Sequence, residues 1–162
     1  MTINFQRILL KIYAQAQKNN LLNNSVTQNL YTFSYFLYKR YLEDPFNDLV
    51  NKYPGFFKNG HILDIGANIG YNALLFSKVI TREFKIYAFE PDKKNFSLLK
   101  KNCFPSTIII PIHMAVGKTS VKAELWHNDL HPGEHRIATK YFKKYTASKD
   151  IRTSIIPMSS LD

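Results

Sequence analysis

The feature that most constrains this chain is the stretch HILDIGANIG, residues 61–70. An apolar run is interrupted by Asp64 and then passes into a turn that holds Gly66, Asn68 and Gly70. The run has the length of a short buried strand, and the residues after it repeat apolar side chains at helical spacing. The stretch therefore predicts a strand that ends in a glycine-rich turn, followed at once by a helix.

Strands and helices continue to alternate beyond this turn. The pattern predicts two helices, residues 69–80 and 91–103, and two further strands, residues 84–90 and 106–116. Strands joined through helices indicate an α/β fold with a parallel sheet and right-handed connections. Pro111 cannot donate a ladder hydrogen bond, which favours an edge position for the third strand. A doubly wound sheet in the order 3-2-1 has this strand at its edge.

Two shorter patterns add to this scheme. Pro91 and Asp92 open the second helix, and a proline and an acidic cap are typical of a helix start. Residues 121–126 alternate apolar and polar side chains, which predicts one more strand with a single exposed face.

Two helical patterns precede the alternating part of the chain. Apolar residues recur at helical spacing over residues 4–18 and again over residues 26–42. The second pattern carries aromatic side chains for which we expect burial: Tyr31, Phe33, Tyr35, Phe36, Tyr38 and Tyr41. We therefore predict a helical N-terminal extension over residues 1–59 and an α/β domain over residues 60–162.

The composition is typical of a globular protein. Apolar residues make up 45% of the chain, which is ample material for a core. The net charge is +10, but the basic residues are spread evenly along the chain, so a nucleic-acid partner is disfavoured. The single cysteine, Cys103, excludes an internal disulfide and favours a reducing setting, so we predict a cytoplasmic location. No apolar run approaches the roughly 20 residues that span a bilayer, so we expect no transmembrane segment.

The glycine-rich turn indicates a nucleoside-containing ligand. Open parallel sheets bind ligands above the carboxyl ends of their strands, and Gly66 permits close approach of the backbone there. Amide groups at the start of the following helix favour a carboxylate or phosphate, and Gly70 lets that helix pack near the strand. Glu90 ends the second strand, where its carboxylate can accept hydrogen bonds from both hydroxyls of a ribose.

Two residues favour S-adenosylmethionine over a nicotinamide dinucleotide. Asn68 occupies the position where the dinucleotide pattern has a glycine that admits a pyrophosphate. Asp64 repels phosphate, whereas it attracts the ammonium group of an amino acid such as the methionine part of the cofactor. The pattern D-x-G-x-N-x-G followed by Glu-Pro therefore predicts a site for adenosylmethionine.

Four segments together resemble one protein family. LDIGANIGYNALLFSK, IYAFEPDKKNFSLLKKN, MAVGK and IPMSSLD are similar to segments of the FkbM family of S-adenosylmethionine-dependent methyltransferases, over about residues 60–162. The resemblance implies a doubly wound Rossmann-like methyltransferase sheet that is incomplete at its C-terminal end. It also implies a set of cofactor contacts: Asp64, Gly66, Ala67, Asn68 and Gly70 for the methionine part, Glu90 for the ribose and Ala115 near the adenine.

The resemblance implies methylation of a hydroxyl on a small molecule or glycan, with S-adenosyl-L-methionine as the cofactor. Three alternatives stay open. The first is a shortened relative that binds the nucleoside without turnover. The second is an RNA methyltransferase. The third is a nicotinamide-dependent oxidoreductase, which Asn68 disfavours.

The histidines are the candidates for a general base, although the sequence assigns no catalytic residue. They are His113, His127, His131 and His135. We expect no metal site on the segment HPGEH, residues 131–135, because its potential ligands have no fixed spacing on one helical face.

Overall fold

A computed structural model describes residues 24–42, 45–127, 135–138 and 152–161. The predicted helix over residues 4–18 and His131 lie outside this part of the chain. Two helices come first, α1 (Ser25–Leu42) and α2 (Pro45–Lys52), followed by a 3-10 turn, Pro54–Phe57. Across these four stretches, no helix is long and apolar enough to cross a membrane.

A three-stranded parallel sheet follows these helices. Its elements in chain order are β1 (Ile62–Ile65), α3 (Tyr71–Phe76), β2 (Ile86–Phe89), α4 (Lys93–Cys103) and β3 (Ile109–Ile112). The strand order is β1-β2-β3, and both neighbouring pairs are parallel. The alternation of strands and helices, the parallel pairing and the order predicted from the sequence are therefore confirmed. The fold is mixed α/β.

The outer strands of this sheet differ in how well the sequence predicted them. Pro111 lies in β3, which is an edge strand as expected. β1 is the other edge, and Leu63 and Ile65 are 49% and 56% exposed. The prediction of a fully buried strand at residues 61–65 is wrong for these two side chains, because successive residues of a strand point to opposite faces.

Helix α3 is shorter than the helix predicted over residues 69–80. After Ser77 the backbone bonds change from a four-residue to a three-residue separation, with Lys78 donating to Leu75 and Val79 to Phe76. The Ser77 hydroxyl also donates to the Leu74 carbonyl at 2.8 Å, a local bond that competes with helix continuation. The apolar face is still buried.

Helix α4 begins as the sequence indicates. Asp92 is its N-cap, and its carboxylate accepts hydrogen bonds from the backbone N–H groups of Lys94 and Asn95, each at 2.9 Å. These bonds satisfy two of the amide groups that every helix start leaves without a helical partner.

A second sheet contains four strands. They are β4 (Ala115–Val116), β5 (Val121–Trp126), β6 (Arg136–Ile137) and β7 (Thr153–Ser159), in the order β4-β7-β5-β6. β4 runs parallel to β7, whereas β5 is antiparallel to both β6 and β7. The predicted third strand over residues 106–116 is therefore two strands, because the chain leaves the first sheet after Ile112. The predicted strand over residues 121–126 is confirmed.

The two sheets have separate apolar clusters. The larger one contains Ile86 and Ala88 from the central strand, both 0% exposed, together with Leu99 of α4 and Val50 of α2. The smaller one contains Ala115, Ala123, Leu125 and Ile156. Val50 thus packs within the same core as the parallel sheet.

Helix α1 packs against the domain through one face only. Phe36 meets Tyr71 edge to face, with ring centroids 5.4 Å apart. Phe33 and Tyr41 are 61% and 72% exposed, so the predicted burial is wrong for these two, and the other four aromatic side chains are half-buried. The reason is helical geometry. The less exposed Tyr31 and Tyr35 are four residues apart and share a face, whereas Phe33 lies two residues from each of them and points away.

Candidate functional site

Two buried carboxylates lie at the carboxyl end of neighbouring parallel strands. Asp64 is the next-to-last residue of β1, where it pairs with Ala88 of β2. Glu90 is the first residue after β2. Asp64 is 8% exposed and Glu90 is 4% exposed. Burial disfavours the charged form of both side chains. Buried acidic groups at the carboxyl ends of strands occur mostly where a protein uses them, so this pair is a candidate functional site.

The turn between β1 and α3 explains why its residue types alternate. Gly66, Asn68 and Gly70 all have positive φ angles, of 81°, 52° and 95°. Glycine adopts this conformation without a steric penalty, and asparagine tolerates it better than most residues. The spacing G-x-N-x-G is thus a backbone requirement of this turn, independent of any ligand.

Glu90 holds the turn against the segment that follows β2. One carboxylate oxygen accepts a hydrogen bond from the Asn68 N–H and the other from the Asp92 N–H, each at 2.8 Å. The Gly66 and Ala67 N–H groups both donate to the Phe89 carbonyl at 2.9 Å. The Asn95 side chain also hydrogen-bonds to this carboxylate. Because each carboxylate oxygen has two acceptor sites, Glu90 retains capacity for one further donor.

The amide groups of the turn are mostly occupied by the protein. The N–H groups of Gly66, Ala67 and Asn68 donate as described above, and that of Gly70 donates to Ala67. These four groups therefore offer few donors to a pyrophosphate. The helix itself begins at Tyr71, so the expectation that the amides of its first turn receive a carboxylate or phosphate stays a prediction.

The environment of Asp64 differs from that of Glu90. Oδ2 of Asp64 is buried and has no hydrogen-bond partner among the residues that the structure describes. Burial raises the pKa of this carboxyl to about 6, although the Ala73 backbone N–H lowers it. An acceptor atom buried without a donor is costly, so a ligand donor at this atom would be favourable.

Burial also raises the pKa of Glu90, to about 7. The hydrogen bonds from the Asp92 and Asn68 N–H groups and from the Asn95 side chain lower this pKa, whereas the charge of Asp92 raises it further. Near neutral pH, Glu90 therefore exchanges between the carboxylate and the carboxylic acid.

Gly70 is required for packing, but against a different neighbour than predicted. A Cβ at this position would lie 2.9 Å from Cδ1 of Leu99 and 3.0 Å from Sγ of Cys103. Both residues belong to α4, so Gly70 lets α3 approach a helix rather than the strand. By contrast, a Cβ at Gly66 would meet nothing within 4 Å, which leaves room above the turn.

Ala115 does not lie at the end of the third strand, where the resemblance implied a contact with adenine. β3 ends at Ile112, and Ala115 begins β4, where it pairs with Met158. Its side chain is 5% exposed and packs in the apolar cluster of the second sheet.

Tyr35 is a contact of the turn that the sequence did not predict. Its hydroxyl accepts a hydrogen bond from Nδ2 of Asn68 at 3.4 Å, so α1 reaches the glycine-rich turn. The aromatic stripe of α1 was the available signal, but it does not distinguish the residues that meet the turn from those that face solvent.

The histidines have separate surroundings. Nε2 of His113 lies 3.1 Å from the Pro91 carbonyl, and its ring stacks on Phe96. His127 and His135 lie together beside Asp92, with Nδ1 of His127 3.1 Å and Nε2 of His135 3.8 Å from Asp92 Oδ2. These three residues form a group that could hold a metal ion.

Sequence reasoning missed this group because Asp92 is far from both histidines along the chain. A signal was nevertheless present in the segment 127–135. His127 directly follows the predicted strand 121–126. If the next strand paired antiparallel with this one, a histidine just before it, such as His135, would lie opposite His127.

The fold and the turn define an α/β protein with a glycine-rich turn between two buried carboxylates. Comparisons with models of protein families, with curated proteins and with solved structures find no match to this chain. The sequence-predicted residues that the fold brings to the sheet edge are Asp64, Gly66, Ala67, Asn68, Gly70 and Glu90, whereas Ala115 lies in the second sheet.

Proposed function

We propose that this chain is an S-adenosylmethionine-dependent methyltransferase with a Rossmann-like sheet of the kind that the FkbM family has. The observation that carries the proposal is the pair of buried carboxylates, Asp64 and Glu90, on either side of the glycine-rich turn. Ligands of open parallel sheets bind at this edge, above the carboxyl ends of the strands.

Each carboxylate fits one part of the cofactor. Glu90 accepts two backbone N–H bonds and a hydrogen bond from the Asn95 side chain, and its remaining acceptor site suits a ribose hydroxyl. Asp64 has a buried oxygen that lacks a donor among the described residues, and an ammonium group supplies both a donor and a compensating charge. Adenosylmethionine carries a ribose and an ammonium group, whereas NAD carries no ammonium group.

The turn supports the same choice of cofactor. Four of its N–H groups donate to protein acceptors, so they offer little to the pyrophosphate of a dinucleotide. The Asn68 side chain occupies the position where a dinucleotide site has a glycine. A nicotinamide-dependent oxidoreductase is therefore the weaker alternative.

The reaction would be an in-line displacement at the methyl carbon. The acceptor oxygen forms a bond to this carbon while the bond to sulfur breaks, its electrons go to sulfur, and the acceptor proton passes to a base or to water. The protein chiefly holds the acceptor in line with the leaving sulfur, about 3 to 3.5 Å from the carbon. The resemblance to the FkbM family favours a hydroxyl of a small molecule or glycan as the acceptor.

Calorimetric titration with adenosylhomocysteine, adenosine and NAD tests the proposal. We expect adenosylhomocysteine to bind more tightly than NAD. Asp64→Asn should weaken adenosylhomocysteine binding by at least tenfold, because it removes the charge that faces the ammonium group. The same change should leave adenosine binding unaltered, since adenosine has no amino-acid part.

Asp48→Asn is the matched control, since it removes the same charge at an exposed position of α2. This variant should bind all three ligands as the unaltered chain does. Tighter binding of NAD than of adenosylhomocysteine would contradict the choice of cofactor. Equal loss of adenosine and adenosylhomocysteine in Asp64→Asn would contradict the role given to Asp64.

A further inference from the structure

A largely buried cluster of two imidazoles and one carboxylate lies between the start of α4 and the second sheet. Asp92 is the N-cap of α4, whereas His127 follows β5 and His135 precedes β6. The side chains of Asp92, His127 and His135 are 5%, 6% and 9% exposed. One potential ligand atom from each residue lies within 4.8 Å of the others.

Strand register brings the two histidines together. Leu125 pairs with Ile137 and Trp126 with Arg136, so the next position of the same ladder sets His127 opposite His135. Opposed side chains on one face of an antiparallel pair are neighbours. The ring centroids are accordingly 5.1 Å apart, with the ring planes inclined by 68°.

The separations of the ligand atoms fit a small metal ion. Nitrogen and oxygen ligands bind zinc at about 2.0 to 2.2 Å with tetrahedral angles, which puts neighbouring ligand atoms about 3.3 Å apart. Asp92 Oδ2 lies 3.1 Å from Nδ1 of His127 and 3.8 Å from Nε2 of His135. All three ligand atoms lie within 4.8 Å of one another, so rotations of the histidine side chains towards each other would bring them onto one ion.

The other polar atoms of two ligands are already held in place. Oδ1 of Asp92 accepts the N–H groups of Lys94 and Asn95, which leaves Oδ2 directed at the histidines. Nε2 of His127 lies 2.8 Å from Oγ of Ser154, so this nitrogen can donate to the hydroxyl while Nδ1 binds an ion. Metal-binding side chains are commonly oriented by such outer hydrogen bonds.

We propose that Asp92, His127 and His135 bind a divalent transition-metal ion, for which zinc is the best match. Two imidazoles and a carboxylate are ligands that zinc accepts, and three protein ligands leave one tetrahedral position for water or another donor. The ion would connect the start of α4 to the base of the β5–β6 hairpin. This proposal stands apart from the methyltransferase proposal, since none of its ligands is a residue given to the cofactor.

The test is titration of the chelator-treated chain with Zn²⁺ by calorimetry and with Co²⁺ by visible absorption. We expect one equivalent of each ion to bind. His127→Ala and His135→Ala should each weaken Zn²⁺ binding at least 100-fold, and Ser154→Ala should weaken it about tenfold. His61→Ala removes an exposed histidine and should leave the affinity unchanged. Asp92 is not varied, because its loss would also uncap α4.

Circular dichroism of each variant separates loss of a ligand from loss of the fold. Failure of the folded, unaltered chain to bind Zn²⁺ would overturn the proposal and leave the cluster as an ion-pair contact between Asp92 and His127, with Ser154 hydrogen-bonded to the other ring nitrogen. Binding that survives in both His127→Ala and His135→Ala would also overturn it, because the ion would then lie elsewhere.

Discussion

Glu90→Gln is expected to weaken adenosylhomocysteine binding about 100-fold at pH 8, because the ribose loses a hydrogen bond to a charged acceptor and the turn that positions the ligand loses one as well. The amide that replaces the carboxylate has a single acceptor oxygen, whereas Glu90 accepts the N–H groups of both Asn68 and Asp92. Adenosine binding should weaken as much as adenosylhomocysteine binding, since both ligands carry the ribose. Calorimetry measures both affinities.

The same variant should change how stability depends on pH. Burial raises the pKa of Glu90 from 4.5 to about 7 in the folded chain. Because the folded chain holds this proton more tightly than the unfolded chain, the stabilisation is fully present below about pH 4.5 and is lost as the pH rises through about 7. The gap between the two pKa values corresponds to about 3 kcal/mol in the free energy of unfolding.

Urea unfolding at pH 4.5 and pH 8 measures this effect. The free energy of unfolding of the unaltered chain should fall over this range, and the fall should be about 2 to 3 kcal/mol smaller in Glu90→Gln. Glu83→Gln is the control, since Glu83 is exposed, and it should leave the fall unchanged. An equal fall in Glu90→Gln and in the unaltered chain would contradict the buried, proton-holding role of Glu90.

Gly70→Ala should lower the free energy of unfolding by about 3 kcal/mol. Two costs add at this position: a side chain at a φ of 95° is strained, and the new Cβ would lie 2.9 Å from Leu99 Cδ1. Leu99 is 0% exposed, so it has little room to move. Urea unfolding at one pH is the measurement.

Two further glycine variants separate these costs. Gly66 also has a positive φ, of 81°, but a Cβ there would meet nothing within 4 Å. Gly66→Ala should therefore lower the free energy of unfolding by the backbone cost alone, about 1 to 2 kcal/mol. A Cβ at Gly60 meets nothing within 4 Å, and Gly60→Ala should change stability by less than about 1 kcal/mol. If Gly70→Ala is no more costly than Gly66→Ala, the close approach of α3 and α4 is not present in the protein.

The sequence predicted those features of the fold that depend on local pattern. The turn after β1 needs positive φ at alternate residues, and glycine and asparagine mark such positions in any chain. Asp92 precedes an apolar helical run, so its role as a cap follows from its place in the sequence. Pro111 indicated an edge strand because proline has no N–H group to donate to a neighbouring strand, which is tolerated mainly at the edge of a sheet.

The features that the sequence did not predict depend on contacts between distant segments. Nothing in residues 61–65 indicates that only one face of β1 is covered, which leaves Leu63 and Ile65 on the exposed face. The departure of the chain from the first sheet after Ile112 depends on the pairing of β4 with β7, more than forty residues later. The meeting of Asp92 with His127 and His135 depends on the register of β5 and β6 and on how the second sheet lies against α4.

The most direct test of the central claim is a crystal structure of the chain grown with adenosylhomocysteine. We expect the ligand above the glycine-rich turn, with its ribose hydroxyls within hydrogen-bond distance of the Glu90 carboxylate and its amino group beside Asp64. A ligand bound at another surface, or none at this sheet edge at a concentration that saturates the chain by calorimetry, would contradict the claim that these two carboxylates form the cofactor site.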